Sequence, residues 1–236
     1  MLYLSPRSRN CFAAVAVAAA VSSGSSAAVI AGWSIVTAFP TGTGFVPTGQ
    51  NYSVGAADSG DQTAGSELRS FHTLAAATYT SPAGNGSQYS FSSNNWSIGD
   101  YYEARASTSN YGSISVSWDQ ARSSTGPASF ELIFSVNGGV SWSSPINYTV
   151  LQSGGGGAPG TWSSTSYNAL YTNTQSLVGA ENANELLIRF RAAGAATGAT
   201  GSNRIDNVVV SGTFIPAPGA LALLGLAGLA GARRRR

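Results

Sequence analysis

His72 is the only histidine in the chain, so any nucleophile, histidine and acid arrangement has to be built on it. No G-x-S-x-G elbow accompanies it, and a zinc site would have to combine this one imidazole with carboxylates. Glycoside hydrolysis asks less, namely two carboxylates about 5–5.5 Å or 6.5–9.5 Å apart. Glu103, Glu131 and Glu185 fall in strand-like segments and are the candidates, although no E-x-D-x-x-E pattern is present. Their alternative role is to pair with Arg105, Arg122 or Arg189 on a solvated sheet face, where each pair adds little stability. Hard oxygen ligands point to a different chemistry, that of calcium. Asp58 and Asp61 share a Gly-rich loop, and Asp206 with Asn207 enters the last strand. Sugar recognition needs aromatic faces beside polar groups. Trp96, Tyr111, Trp142 and Trp162 sit in or beside turn-rich segments and are expected to supply them, whereas Trp118 follows a buried pattern.

These groups must be carried by strands. Ile114, Val116 and Trp118 alternate with serines over Ser113 to Asp119, the period-two pattern of a half-buried strand. Phe130, Leu132, Phe134 and Val136 repeat it, as do Leu186, Ile188 and Phe190 with Arg189 and Arg191 opposite. Further strands are expected at Val29 to Phe39, Leu68 to Thr80, Tyr89 to Phe91, Tyr101 to Ser107, Ile146 to Leu151 and Arg204 to Phe214. Turn-forming runs separate them, and Asn137-Gly138-Gly139 predicts a tight hairpin over Val136 to Val140. The body has no helical apolar stripe. Short strands with polar turns predict an all-β fold, a two-sheet antiparallel β-sandwich with jelly-roll topology.

Charge divides the chain into three. All 12 basic residues are arginines, and six of them lie near the two ends, leaving six against the ten acids of the body. That body is weakly negative, which argues against nucleic acid as a partner. Its lack of cysteine excludes disulfides and thiolate metal sites, because Cys11 lies in the N-terminal apolar segment.

Arg7 and Arg9, an apolar stretch from Cys11 to Val21 and a small polar segment to Ala28 have the layout of a secretory signal peptide over residues 1–28. At the other end Pro216-Ala217-Pro218 precedes an apolar run from Gly219 to Ala232 and the four arginines Arg233, Arg234, Arg235 and Arg236. As a helix that run reaches about 21 Å, short of a hydrocarbon core of about 30 Å. The basic tail would stay on the cytoplasmic side. Residues 215–236 resemble the PEP-CTERM sorting signal of Gram-negative bacteria, with Ala217 in place of the family's central glutamate. The resemblance implies a short C-terminal hydrophobic helix that enters the inner membrane transiently, processing by an exosortase-like membrane enzyme, and delivery to the cell surface or extracellular matrix.

Residues 29–214 form the body. Tyr101-Tyr102-Glu103, the run from Ile114 to Asp119, Arg122 to Pro127, Phe130-Glu131-Leu132, Ser135 to Gly139 and Arg204 to Val208 resemble a module recurrent in exported PEP-CTERM proteins. They are also similar to accessory domains of secreted enzymes. The resemblance implies a carbohydrate-binding-like jelly roll without a catalytic motif, and by analogy with such modules it singles out Asp206 for a structural calcium. Ser135 to Trp142 (SVNGGVSW) also resembles a degenerate Asp-box, a structural hairpin. The expectation is a secreted, non-catalytic protein that binds or scaffolds extracellular polysaccharide. Its rivals are a glycosidase with a carboxylate pair and a ligand-free envelope protein.

Overall fold

The structure is a computed structural model and describes residues 27–38 and 48–216. The predicted signal segment up to Ser26, the terminal helices and the tail from Ala217, including Pro218, Gly219 and Arg233 to Arg236, lie outside the described residues. Pro216 lies within them and is exposed.

Two sheets face each other. The seven-stranded sheet is centred on two long strands, β7 (Tyr111–Arg122) and β13 (Asn203–Phe214), paired antiparallel. Along the far edge of β13 run β5 (Phe91–Ser93), itself paired with β4 (Tyr79–Thr80), and then β1 (Ala28–Trp33). Along the far edge of β7 lie β11 (Thr172–Ser176) and the parallel β10 (Leu151–Gln152). The six-stranded sheet runs β2 (Asn51–Gly55), β3 (Glu67–Phe71), β6 (Tyr101–Ala106), β12 (Leu186–Ala192), β8 (Ser129–Ser135) and β9 (Ile146–Thr149).

Side-chain alternation explains why these segments pair as they do. Ile114, Val116 and Trp118 of β7 point inward against Leu132, Ile188 and Phe190 from the other sheet, all within one buried core. Truncating a residue such as Phe190 in a core of this kind costs about 3–5 kcal/mol. Aromatic rings hold the centre: Trp96 lies edge-on to Tyr102 and Phe130, and Trp118 lies against Phe190 and Tyr148.

One departure from strict alternation matters for the site. Ile205, Val208 and Val210 of β13 are all fully buried in the core, so the inward spacing lengthens from two residues to three. The register against β7 shifts between Asp206 and Val209, and Asn207 adopts a φ of 46°. This is a β-bulge, and it sets Asp206 and Asn207 together on the outer face.

The predicted strands are found with four corrections, the first being that the span Val29 to Phe39 yields only β1, which ends at Trp33. The span Leu68 to Thr80 is broken into β3 and β4, because residues 72–78 cross from one sheet to the other. Likewise Ile146 to Leu151 divides at Val150, which carries the chain from β9 into β10. The tight hairpin at Val136 to Val140 is a longer connection, since the partner strand β9 begins only at Ile146 and Val136 is exposed. Among the described residues no helix is long and apolar enough to cross a membrane.

Candidate functional site

The outer face of the six-stranded sheet carries a continuous strip of charge and aromatic rings. Alternation on β3, β6 and β12 places Arg69, Phe71, Tyr101, Glu103, Arg189 and Arg191 there, and the strand registers bring them side by side. Phe71 stacks on Tyr101 at 5.4 Å from the β3 side. The Arg189 guanidinium lies 4.0 Å from the Tyr101 ring on the β12 side and 4.1 Å from the Trp142 ring. Glu103 is the keystone: it is 1% exposed, accepts from Arg69 on one oxygen, and accepts from Arg189 Nε at 2.6 Å on the other. Arg191 is similarly held by Glu131 at 2.6 Å.

Trp142 reaches this strip because of the turn after β8. Ser135 Oγ accepts from the main-chain N–H of Asn137 and of Gly139, and Asn137 Oδ1 accepts from Ser141 N–H at 3.0 Å. Gly138 and Gly139 supply the two positive φ values, 69° and 84°, that the turn requires. The indole Nε1 then donates to Gly139 O at 3.0 Å, fixing the ring. The Asp-box-like sequence is thus a structural turn whose consequence is the position of one tryptophan.

The seven-stranded sheet is different on its outside. Asp119 of β7 and Asp206 of β13 stand opposite each other in register and are both buried, covered by residues around Asn85 and Asn168. Asp119 accepts from the Thr172 hydroxyl, from Asn85 Nδ2 at 3.0 Å and from Asn207 Nδ2 at 2.7 Å. Asp206 Oδ2 accepts from Asn85 N–H at 2.8 Å and from the Ser87 hydroxyl. Its other oxygen, Oδ1, is buried with no hydrogen-bond partner. Burial pushes the Asp206 carboxyl up to about 7, a rise that the hydrogen bonds from Ser87 and Asn85 oppose and the neighbouring Asp119 charge reinforces.

An orphaned carboxylate oxygen next to a second carboxylate fits a hard cation, for which oxygen ligands are required. Asp119 and Asp206 are the carboxylates that would hold it, whereas Asn207 presents its amide Nδ2 as a donor to Asp119 and to the Asn85 carbonyl. Among the described residues there is no cluster of three or more His, Cys, Asp or Glu. Asp58 and Asp61 do not join this group. Asp58 accepts from the main-chain N–H of Ser34 and Ile35, and Asp61 accepts from the Tyr111 hydroxyl at 2.7 Å, so both act as ties on the β1 region.

Two of the four expected ligand-facing aromatics are corrected. Trp96 is in the core, donating to Ser93 O at 3.0 Å, and Tyr111 is 4% exposed against Phe214. Each belongs to the packed interior because the loop beside it folds back over the sheet. Trp142 and Trp162 are half-buried. They lie on different sheets: Trp162 packs edge-on to Tyr171 and donates to Ala83 O at 2.7 Å.

His72 sits between Asp100 Oδ2 at 3.1 Å and Ser93 Oγ at 3.0 Å, the connectivity of a nucleophile, base and acid. All three side chains are sealed inside the core, with Tyr79 and Trp96 edge-on to the imidazole and Ser93 donating to the Tyr102 hydroxyl. Ser93 Oγ is turned to the Tyr102 hydroxyl in the interior, and the chain of bonds is a buried polar network. Of the carboxylates considered for glycoside hydrolysis, Glu103 is engaged by two arginines and Glu131 by one, whereas Glu185 lies just before β12 rather than in a strand.

Comparison with known proteins adds no family. No protein-family model and no curated protein sequence matches the chain. Among solved structures it is similar to the CBM22-1 and GH10 modules of endo-1,4-beta-D-xylanase 10B from Clostridium thermocellum. The identity is 12% and the TM-score 0.42, with 80% of this chain and 29% of the xylanase chain covered. It is similar to the K3 cleaved adhesin domain of Lys-gingipain from Porphyromonas gingivalis, at 12% identity and a TM-score of 0.42, covering 78% of this chain and 98% of that one. It is also similar to the carbohydrate-binding module CBM6cm-2 of Cellvibrio mixtus lichenase 5A, at 14% identity and a TM-score of 0.35, covering 57% and 87%. All three scores lie below 0.5, so the functional reading has to come from this chain's own residues.

Proposed function

We propose that the chain is an exported, non-catalytic protein whose β-sandwich, of jelly-roll type, binds extracellular polysaccharide. Residues 1–28 act as the signal peptide, 29–214 as the binding body, and 215–236 as a PEP-CTERM-like sorting tail read by an exosortase-like enzyme after transient inner-membrane insertion. The carrying observation is the strip Phe71, Tyr101, Arg189 and Trp142 across the six-stranded sheet. Arginine donors held by rings and by a buried glutamate lose little side-chain freedom on meeting a ligand, and guanidinium N–H groups suit a polymer rich in hydroxyl oxygens. A calcium ion held by Asp119 and Asp206, with Asn85 and Asn207 beside them, would neutralise the buried acids and stiffen the bulge. The test is binding of the purified chain to neutral and acidic polysaccharides, with calcium and with chelator. Saturable binding that Arg189→Ala abolishes, with no shortening of the polymer, supports the reading. Absence of binding to every polymer, or shortening of the polymer, overturns it.

A further inference from the structure

Arg204 differs from every other arginine among the described residues. Arg69, Arg105, Arg189 and Arg191 each meet a glutamate, and Arg122 donates to the carbonyls of Val150, Ser123 and Ser124. Arg204 has no carboxylate partner there, and its Nε is buried without a hydrogen bond. Its neighbours Asn203 and Ile205 are turned into the core, which directs Arg204 to the outer face of the seven-stranded sheet beside Ser92 and Ala121. There it lines a surface pocket of about 270 Å³ together with Thr78, Thr80, Asn94, Thr200 and Ser202. The Trp162 ring centroid lies 5.9 Å from its guanidinium carbon.

We infer that this pocket is a second binding site, and that it takes the carboxylate of an acidic sugar residue. A half-buried guanidinium with free donors calls for an oxyanion, and its planar fork matches a carboxylate through two parallel hydrogen bonds. Apart from Pro82, the rest of the pocket wall is hydroxyl and amide. The Thr78, Thr80, Thr200 and Ser202 hydroxyls make no hydrogen bond to a described residue, so they are available to sugar hydroxyls. The volume falls just below the roughly 300–1,000 Å³ of drug-sized sites, which suits a single monosaccharide unit of a chain that continues into solvent. The weakly negative body makes such a site selective rather than generally anion-binding, because the surrounding field repels an acidic polymer that has no specific foothold.

The inference refines the polysaccharide reading and rests on it, and the experiment separates the two. Affinities of the full chain would be measured for polygalacturonate, for the same polymer fully methyl-esterified, and for galacturonate and inorganic phosphate as competitors. The expectation is at least a tenfold preference for the free acid, competition by galacturonate and much weaker competition by phosphate. Arg204→Gln should erase the preference, whereas Trp142→Ala should weaken both polymers and keep their ratio. Thr200→Glu, at an exposed position, would place a competing carboxylate in the pocket and erase the preference without touching the core. Equal binding of acid and ester, or a preference that survives both Arg204→Gln and Thr200→Glu, overturns the acidic-sugar site while leaving neutral polymer binding intact. Competition by phosphate as strong as that by galacturonate overturns the sugar part and leaves a plain oxyanion site. Loss of binding to every polymer would instead sink the polysaccharide reading.

Discussion

The two outer faces of the sandwich carry similar residue types and resolve them in opposite ways. On the six-stranded sheet the charges of the strip have internal partners, with Glu103 bridging Arg69 and Arg189 and Glu131 holding Arg191, and only the Nε of Arg105, which reaches Glu67 through its other nitrogens, is buried without one. On the seven-stranded sheet the polar groups are more deeply covered, yet Asp206 Oδ1 and Arg204 Nε are left without partners. A buried polar atom with no partner costs about 1–3 kcal/mol, more when it belongs to a charged group. The first face is therefore a finished, rigid surface against which a polymer can lie. The second keeps buried polar atoms that its own residues leave unsatisfied.

The largest effect expected from this contrast is on the pH dependence of stability. Asp206 has a folded-state pKa of about 7, above its ordinary value of 3.8. Between those values the folded chain holds a proton that the unfolded chain has released. Stability from this group is therefore complete below about pH 4 and lost as pH rises through 7, a fall of up to about 4 kcal/mol. Urea unfolding followed between pH 4 and 8 with chelator should show it. Calcium should flatten the decline by stabilising the ionised form, and Asp206→Asn should remove it. Asp100 has the opposite sign. Burial pushes its pKa up, but hydrogen bonds from His72, Ser97 and Thr73 outweigh this and leave it below its ordinary value, so its contribution disappears only in acid. A profile without decline up to pH 8 in chelator would show that the Asp206 carboxyl is already compensated.

Glu103→Ala should come next, with a loss of about 3 kcal/mol in urea unfolding. It leaves two arginines facing each other over a buried hole, and removal of one partner of a buried pair typically costs about 3–5 kcal/mol, reduced here because both guanidiniums reach solvent. Trp142→Ala should cost little stability but weaken polymer binding about tenfold, since loss of a ring against Arg189 is worth roughly 1–2 kcal/mol of positioning.

The strands that bury one face were legible in the sequence, because Ile114, Val116 and Trp118, or Leu186, Ile188 and Phe190, state their face by period alone. Edge strands were not. β11, with sequence TNTQS, has no apolar residue to alternate, and β2, with sequence NYSVG, shows only Tyr52 and Val54, too short a pattern to stand out at a sheet margin. Of the polar cluster around the bulge, Asp206 and Asn207 were legible as polar neighbours entering the last strand, whereas Asp119 was not. It continues the outward row of serines in its strand, and only the register with β13 and the covering loop around Asn85 turn that row into a buried site. The same limit applies to Arg204, whose lack of a partner is a property of three segments meeting. For the aromatics, turn-rich flanks were a poor guide to exposure, since the loops at Trp96 and Tyr111 fold inward.

The smallest effect sharpens the comparison most, because it asks whether the finished face owes its shape to its turn. At Gly139, φ is 84°, and a Cβ added there would lie 3.3 Å from Trp142 Cζ2. Gly139→Ala therefore combines about 1–2 kcal/mol of left-handed backbone strain with a nudge to the indole. Stability should fall by that amount in urea unfolding, and polymer affinity should fall too, although no residue of the strip itself has changed. Asp206 and Arg204 sit on the other sheet, so calcium response and any acid preference should be untouched. Affinity that holds while stability drops would mean that Trp142 is seated by Arg189 rather than by the turn. A parallel loss of acid preference would mean that the two faces are mechanically coupled through the core, and that the division of labour drawn between them is wrong.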